Sequence, residues 1–292
     1  MDFTIVTPSF RQLDWLELCI ASVADQEGVT VEHIVQDAGT DGFAAFSEKI
    51  QRRWPDRGGY RRIMVSEPDR GMYDAVNKGL KGGRGRICAY LNCDEQYLPA
   101  ALAKVKNTMD QNSKAQVLVG GFLVVDKQGN LVTAQRPVKM SWAHVATSHL
   151  PNFTCATFFL RSILEREQAW FDCRYRSCGD AAWIIERLKN KATICRTQEF
   201  LGLFTETGQH LGLGAEGQRE ALWIRQTAPW VVRLGAPFWK LRHRMWKLLA
   251  GHYCPSRCDY ALFLRGQLNH RIAFRGKRAS PFWRSRFPWR KK

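Results

Sequence analysis

The 292-residue chain reads as an α/β domain with a mostly parallel sheet, followed by a basic extension, and three observations lead there. Short apolar runs alternate with stretches whose apolar residues recur every three or four positions, the pattern of strands alternating with helices. Three of those runs end on acidic or amide side chains, the place where an open parallel sheet holds its ligands. Charge is also lopsided: residues 225–292 carry 17 Lys and Arg against Asp259 alone, and so hold +16 of the formal +17.

The first strand is Phe3-Thr4-Ile5-Val6-Thr7-Pro8-Ser9-Phe10, and Leu13, Leu16, Ile20 and Val23 form the apolar face of the helix that follows. His33-Ile34-Val35 makes the second strand, ending at Gln36-Asp37-Ala38-Gly39-Thr40-Asp41-Gly42 before a helix bearing Phe43, Phe46 and Ile50. Ile63-Met64-Val65 is the third, running into Ser66-Glu67-Pro68-Asp69 and a helix marked by Tyr73, Val76 and Leu80. The fourth run, residues 86–91, stops at Asn92-Cys93-Asp94-Glu95. A carboxylate in that position can hold a divalent cation against a diphosphate, because hard cations prefer oxygen ligands. A solvated acidic turn is the other meaning of the same residues. Beyond Pro99, residues 117–119, 122–125 and 131–133 read as strands, the last two joined as a hairpin through Gly129. Ala181, Ile184, Ile185 and Leu188 mark a helix for which Asp180 would serve as N-cap.

Thr7-Pro8-Ser9-Phe10, Asp37-x-Gly39-Thr40-Asp41-Gly42, the run from Glu67 through Asp69-Arg70-Gly71 to Asn77-Lys78-Gly79, and Leu91-Asn92-Cys93-Asp94 stand in an order that resembles family 2 glycosyltransferases, closely over the first hundred residues and more loosely to Gly214. The resemblance implies a glycosyltransferase A fold, a Rossmann-like, mostly parallel sheet with a small antiparallel portion, here with a basic helical C-terminal extension. It implies an inverting enzyme that uses a nucleotide-sugar donor, a UDP-sugar being favoured, with Mg²⁺ or Mn²⁺. Thr7, Pro8 and Ser9 would line the nucleotide and Asp37 would hydrogen-bond the base. Asp69, Asn77, Asn92 and Cys93 would border the donor, and Asp94 would be the metal ligand. Residues 151–160 resemble the family's strand beneath the acceptor, and Gly179-Asp180-Ala181-Ala182-Trp183 resembles its base-bearing segment, with Asp180 accepting the acceptor's proton. His210, in a segment similar to the family's closing loop, would touch phosphate or metal. The chain departs from the family in a shorter turn after Asp37, in Asn92-Cys93-Asp94-Glu95 where Asn-Ser-Asp-Asp is commoner, and in Thr154-Cys155 where His-Gln is frequent. Residues 1–100 would bind the donor, 101–218 the acceptor, a saccharide or lipid-linked saccharide of bacterial polysaccharide or lipopolysaccharide assembly, and 219–292 would form the extension. A non-catalytic nucleotide-binding scaffold is the alternative.

Within the extension, residues 237–250 drawn as a helix place Phe238, Leu241, Met245, Leu248, Leu249 and two tryptophans on one broad face, with Lys240, Arg244 and Lys247 opposite. Such a helix suits an anionic membrane surface, or packing on the domain with its cations turned to water. Aromatic residues interleave with cations through the rest of 237–292. Nucleic acid is disfavoured as a partner, since no helix-turn-helix, zinc-finger or ribonucleoprotein motif accompanies the charge. The first strand follows Met1 so closely that a secretory leader is not expected, and a cytoplasmic location, peripheral at the inner face of the plasma membrane, follows. The nine cysteines lack metal-site spacing and read as reduced thiols. Dinucleotide and P-loop glycine patterns are absent.

Overall fold

The computed structural model describes residues 1–152, 154–208, 214–254, 257–278, 280 and 283. In chain order the first elements are β1 (Phe3–Ser9), α1 (Leu13–Ala24), β2 (Val31–Asp37), α2 (Phe43–Arg53), β3 (Tyr60–Ser66), α3 (Met72–Gly82) and β4 (Ile87–Tyr90). Next come β5 (Glu95–Tyr97), α4 (Ala101–Gln111), β6 (Val117–Val125), β7 (Leu131–Gln135), α5 (Trp142–Thr147), β8 (Thr157–Leu160), α6 (Arg161–Arg166), α7 (Gly179–Lys189) and β9 (Ile194–Thr205). The last are α8 (Ala215–Thr227), α9 (Trp230–Leu234), α10 (Ala236–Leu249), β10 (Arg257–Leu264) and β11 (Gln267–Arg278).

Nine strands form one sheet in the order β3-β2-β1-β4-β8-β6-β9-β5, with β7 beside β6. β3, β2, β1 and β4 run parallel, each returned by a helix, whereas β8 joins β4 and β6 antiparallel, so the sheet is a parallel α/β half fused to a mixed half in which β6 and β9 are parallel and β5, β7 and β8 pair antiparallel. β1 and β2 are buried along their whole length, so their polar members, among them Thr7 and His33, are paired inside the core. The consequence for function is positional. The carboxyl ends of β1, β2, β3 and β4 lie side by side, and Ser9, Asp37, Ser66 and residues 92–95 leave the sheet along one edge.

Three expectations are corrected here. Residues 117–125 form one strand, whose pairing with β9 shifts register near Gly120 and Gly121. Of residues 151–160, only 157–160 are strand, preceded by a single 3₁₀ turn at Thr154–Ala156, and Phe153 lies outside the described residues. The extension is not helical throughout: after α10 it becomes an antiparallel hairpin of β10 and β11, turned on Arg265 and Gly266. Several of the hairpin's groups are committed to the domain. Arg271 is paired with Asp25 by two bonds of 2.5 and 2.6 Å and also donates to the Tyr97 carbonyl at 2.8 Å. Gln96 exchanges two hydrogen bonds with the Phe263 backbone at 2.9 and 3.0 Å. Those contacts seat the hairpin against α1 and β5, and they remove Arg271 from the surface charge that the sequence alone assigns to the tail.

Of the two arrangements expected of α10, packing on the domain by its apolar face is not the one observed. Its buried residues are Ala236 and His243, with Lys247 half-buried and bonded to Gln135 at 3.1 Å, so the helix packs on α5 through a polar edge. Phe238, Leu241, Met245, Leu248 and Leu249 face outward.

Candidate active site

A cavity of about 1330 Å³ opens where the strand ends meet α3, α5, α7 and α8. Pro8 and Ser9, Asp69, Asn92, Cys93 and Asp94, and Asp180 all line it. Asp94 and Asp180, separated by more than eighty residues, therefore face one space, which is the arrangement that a donor and an acceptor meeting at one centre would need.

Asp94 sits just past β4, half-buried, and no side chain among the described residues hydrogen-bonds or ion-pairs with its carboxylate. Burial pushes its carboxyl up to about 6, while its own backbone N–H favours the ionised form. A carboxylate so placed is short of positive charge, and its hard oxygen donors fit Mg²⁺ or Mn²⁺. Glu95 behaves differently. Fully buried, it accepts from Asn92 N at 2.8 Å and from Thr154 Oγ1 at 2.8 and 3.0 Å, and burial with Asp94 alongside pushes it up to about 8. It is a staple beneath the loop, its charged form disfavoured by burial. Thr154, at the position where the family often has His, provides the bond that satisfies it.

On the facing side, Asp180 lies in the first turn of α7, where the N-terminal end of a helix favours negative charge. Cys178, not Asp180, is the residue at the N-cap position. Tyr73 of α3 fixes the approach: its hydroxyl donates to the Ser177 carbonyl at 3.0 Å and accepts from Asp180 N at 3.1 Å. A side chain at Gly179 would stand 2.6 Å from the Tyr73 ring, so only glycine lets α7 come this close. Beneath the loop, the buried carboxylate of Glu220 accepts from the backbone N–H groups of Arg176, Ser177 and Cys178 at 2.5, 3.0 and 2.7 Å. Near β3, Asp69 Oδ1 accepts from Gly71 N at 2.7 Å. Gly71 has φ +120°, and a Cβ there would stand 2.2 Å from Arg176 Nη1.

Three expected site residues are placed elsewhere. The Thr7 side chain is buried among Cys19 and His33, its Oγ1 2.9 Å from His33 Nε2, because alternation along β1 turns it into the core. Asn77 is a tie between α3 and the segment before α7, donating to the Phe171 carbonyl at 2.7 Å and accepting from Phe171 N at 3.0 Å. Asp37 holds its own turn: Gly39 N, Thr40 N, Thr40 Oγ1 and Ser66 Oγ all donate to it, and Ala38 beside it reaches the cavity instead. His210 lies outside the described residues.

Other lining residues carried no sequence signal that pointed to them. Thr147, Ser148 and His149 reach the cavity from the end of α5, Leu222 and Arg225 from α8, and Lys240 from α10. Trp283, far along the basic tail, also lines it, packing edge-on to Phe204 with its indole N–H donating to Glu206. Ser141 is a legible N-cap for α5, accepting from His144 N at 3.3 Å, but nothing in that signal says what the far end of the helix meets.

Residues 4–167 match the profile of glycosyl transferase family 2. The chain belongs to that family. It is 29% identical over 168 residues to the succinoglycan biosynthesis protein ExoO of Rhizobium meliloti (strain 1021), a match spanning 57% of this chain and 44% of that protein. It is 30% identical over 125 residues to the putative teichuronic acid biosynthesis glycosyltransferase TuaG of Bacillus subtilis (strain 168), spanning 41% of this chain and 47% of TuaG. The matches thus cover less than half of either relative. In fold, it is similar to residues 1–349 of S. aureus TarS in complex with UDP-GlcNAc, with a TM-score of 0.57 at 16% identity over 77% of this chain and 65% of that one. The mannosyltransferase PcManGT of Pyrobaculum calidifontis, in complex with GDP-Man and Mn²⁺, gives a TM-score of 0.56 at 15% identity over 83% and 69%. The glycosyltransferase A fold expected from the strand-end motifs is the fold observed.

Proposed function

We propose that this family 2 glycosyltransferase moves a sugar, a hexose on UDP being favoured, to a hydroxyl of a saccharide or lipid-linked saccharide in bacterial surface polysaccharide or lipopolysaccharide assembly, inverting the anomeric centre. The single observation that carries the reading is that Asp94 and Asp180 line one cavity. The names of ExoO and TuaG support the polysaccharide setting, and the nucleotide-sugars bound to TarS and PcManGT support the donor class.

Residues 1–100 supply the donor side. Pro8, Ser9, Asp69, Asn92 and Cys93 border the space for the nucleotide and sugar, and the Cys93 thiol, bonded to the Pro8 carbonyl at 3.2 Å, keeps the strand-end loop against β1. Asp94 would hold Mg²⁺ or Mn²⁺, whose charge, when bound, makes the diphosphate a better leaving group. The acceptor enters from the side built by residues 101–218. Asp180, aimed by Tyr73 and the Glu220-bound loop, takes the proton of the attacking hydroxyl, a task for which a positioned carboxylate contributes on the order of a hundredfold or more. Displacement from the face opposite the nucleotide leaves the product inverted.

The test is a screen of UDP-, GDP- and dTDP-sugars by thermal shift with and without Mn²⁺, followed by turnover of the donor that binds. A metal-dependent shift with release of nucleotide is the expected result. Binding without turnover under any acceptor would instead favour the scaffold.

A further inference from the structure

Of the large apolar side chains exposed among the described residues, all but Met1 and Phe10 lie between Leu222 and Leu249. Leu249 is 80% exposed, Leu234 75% and Trp230 67%, values that a monomeric soluble surface rarely concentrates in one place. On α10, Leu241, Met245, Phe238, Leu248 and Leu249 fall within an arc of about 100°, the width of a helix's buried stripe, yet this stripe points away from the protein. Arg244 and Arg242 stand at the two borders of that arc. Arg242 lies over the rings of Trp239 and Trp246, 4.7 Å from each centroid. Arg225, Arg233, Lys240 and Arg244 are exposed around the patch, and no Asp or Glu occurs between Ala221 and Cys258.

We propose that α8, α9 and α10 form a membrane-seating face, with the apolar arc of α10 lying in the interface of an anionic bilayer and the surrounding cations at the level of the lipid phosphates. Charge decides between occupants. A second copy would press like-charged rims together, while a neutral apolar partner would leave them unanswered; anionic headgroups around an apolar interior match both parts of the surface. The protein lies on the bilayer through this face, since no described helix is long and apolar enough to cross it. Leu222, Arg225 and Lys240 belong both to this ledge and to the cavity wall, so seating brings the cleft to headgroup height. Taken with the glycosyltransfer reading, on which this last step rests, that height suits an acceptor saccharide carried by a lipid.

The experiment is co-sedimentation of the full chain with vesicles of phosphatidylcholine alone or with added phosphatidylglycerol. Wild type should partition roughly tenfold more onto the anionic vesicles, and less so as salt rises. Leu241→Asp combined with Leu248→Asp, both on the exposed arc, should lower partition roughly a hundredfold with melting temperature unchanged. Arg242→Gln with Arg244→Gln should remove most of the preference for anionic lipid and retain some binding. Wild type staying in the supernatant with both vesicles overturns the proposal, as does a double Asp variant that sediments like wild type. So does a soluble dimer that the same variant dissociates without any vesicle binding. Metal-dependent hydrolysis of the donor, read in the same samples, separates the two readings: its absence with vesicle binding intact counts against glycosyl transfer alone, and its presence without vesicle binding counts against the membrane face alone.

Discussion

The strand-end wall of the cleft and the α10 ledge are built on opposite plans. At the wall, apolar side chains back into the sheet while Ser9, Asp69, Asn92 and Asp94 look into the cavity, the usual division between core and site. At the ledge, His144, His243 and the stem of Lys247 are turned inward, and Phe238, Met245 and the leucines of α10 are turned out. Both regions show strong amphipathic patterning in sequence, but periodicity gives only the direction of a helix's apolar face and not which side the protein covers. The wall is oriented by its neighbours in the sheet. The ledge is oriented by a few polar contacts and so can leave its apolar side free for another phase.

The largest effect should come from the wall. Asp94→Asn is expected to lower donor turnover at least about a thousandfold, since it removes the charged oxygen ligand proposed for the cation while keeping the shape. Thermal stability should hold or rise, because the native carboxylate is half-buried with no ion pair among the described residues. Nucleotide release with and without Mn²⁺ measures this, and turnover within a few-fold of wild type would remove Asp94 from the site. Asp180→Asn comes next, with a loss of roughly a hundredfold in kcat and little change in the KM for the donor. Equal losses of both would mean that Asp180 binds the donor rather than serving the acceptor.

Much of the wall was legible in the sequence for a specific reason. The parallel strands carry short apolar runs, such as Ile34-Val35 and Ile87-Cys88-Ala89, and the polar clusters holding Asp37, Asp69 and Asp94 follow close after them. Direction was harder. Thr7 is next to the lining residue Pro8 and Asn77 is one helical turn past the lining residue Tyr73, but they point into the core and toward Phe171, which depends on strand pleat and helix phase at single-residue precision. Asp37 lies at the predicted strand end, yet its carboxylate is taken up by its own turn. Glu220 was silent because its partners are backbone N–H groups more than forty residues away, which leave no mark in composition. The β10–β11 hairpin was hidden for a related reason: its arginines read as free charge, while Arg271 is in fact closed onto Asp25.

Glu220 tests whether the acceptor side is as rigid as the wall. Its carboxylate receives three backbone N–H groups ahead of α7, and Glu220→Gln replaces one acceptor oxygen with a donor. Leaving a buried N–H unmatched should cost about 2–3 kcal/mol, read by thermal or denaturant unfolding. Turnover should fall with it while Mn²⁺-dependent donor binding is preserved, because the loop so held aims Asp180 and not Asp94. A loss of donor binding in this variant would show the two sides to be mechanically one.

The effect with the least reach into the active site is confined to the ledge and has a definite sign. His144 and His243 stack with ring centroids 4.0 Å apart and planes 11° from parallel. Burial lowers His144 to about 4 against an opposing pull from the Trp239 backbone, and burial followed by repulsion from His144 and His149 lowers His243 to about 3. The groups facing them are Lys240, Arg242, Lys247 and His252, all cationic or able to become so. A histidine whose folded value lies below its ordinary 6.5 contributes its full stability above that value and loses it as pH falls toward the folded one. Acidification from pH 7 to 5 should therefore cost on the order of 2 kcal/mol per histidine, less than twice that for the stacked pair together. Hydrogen exchange would show it as faster opening of the α5 and α10 amides at pH 5, with β1 and β4 unaffected. Replacing His243 by Gln should flatten that response, and equal acceleration across the whole sheet would mean that the ledge has no separate stability of its own.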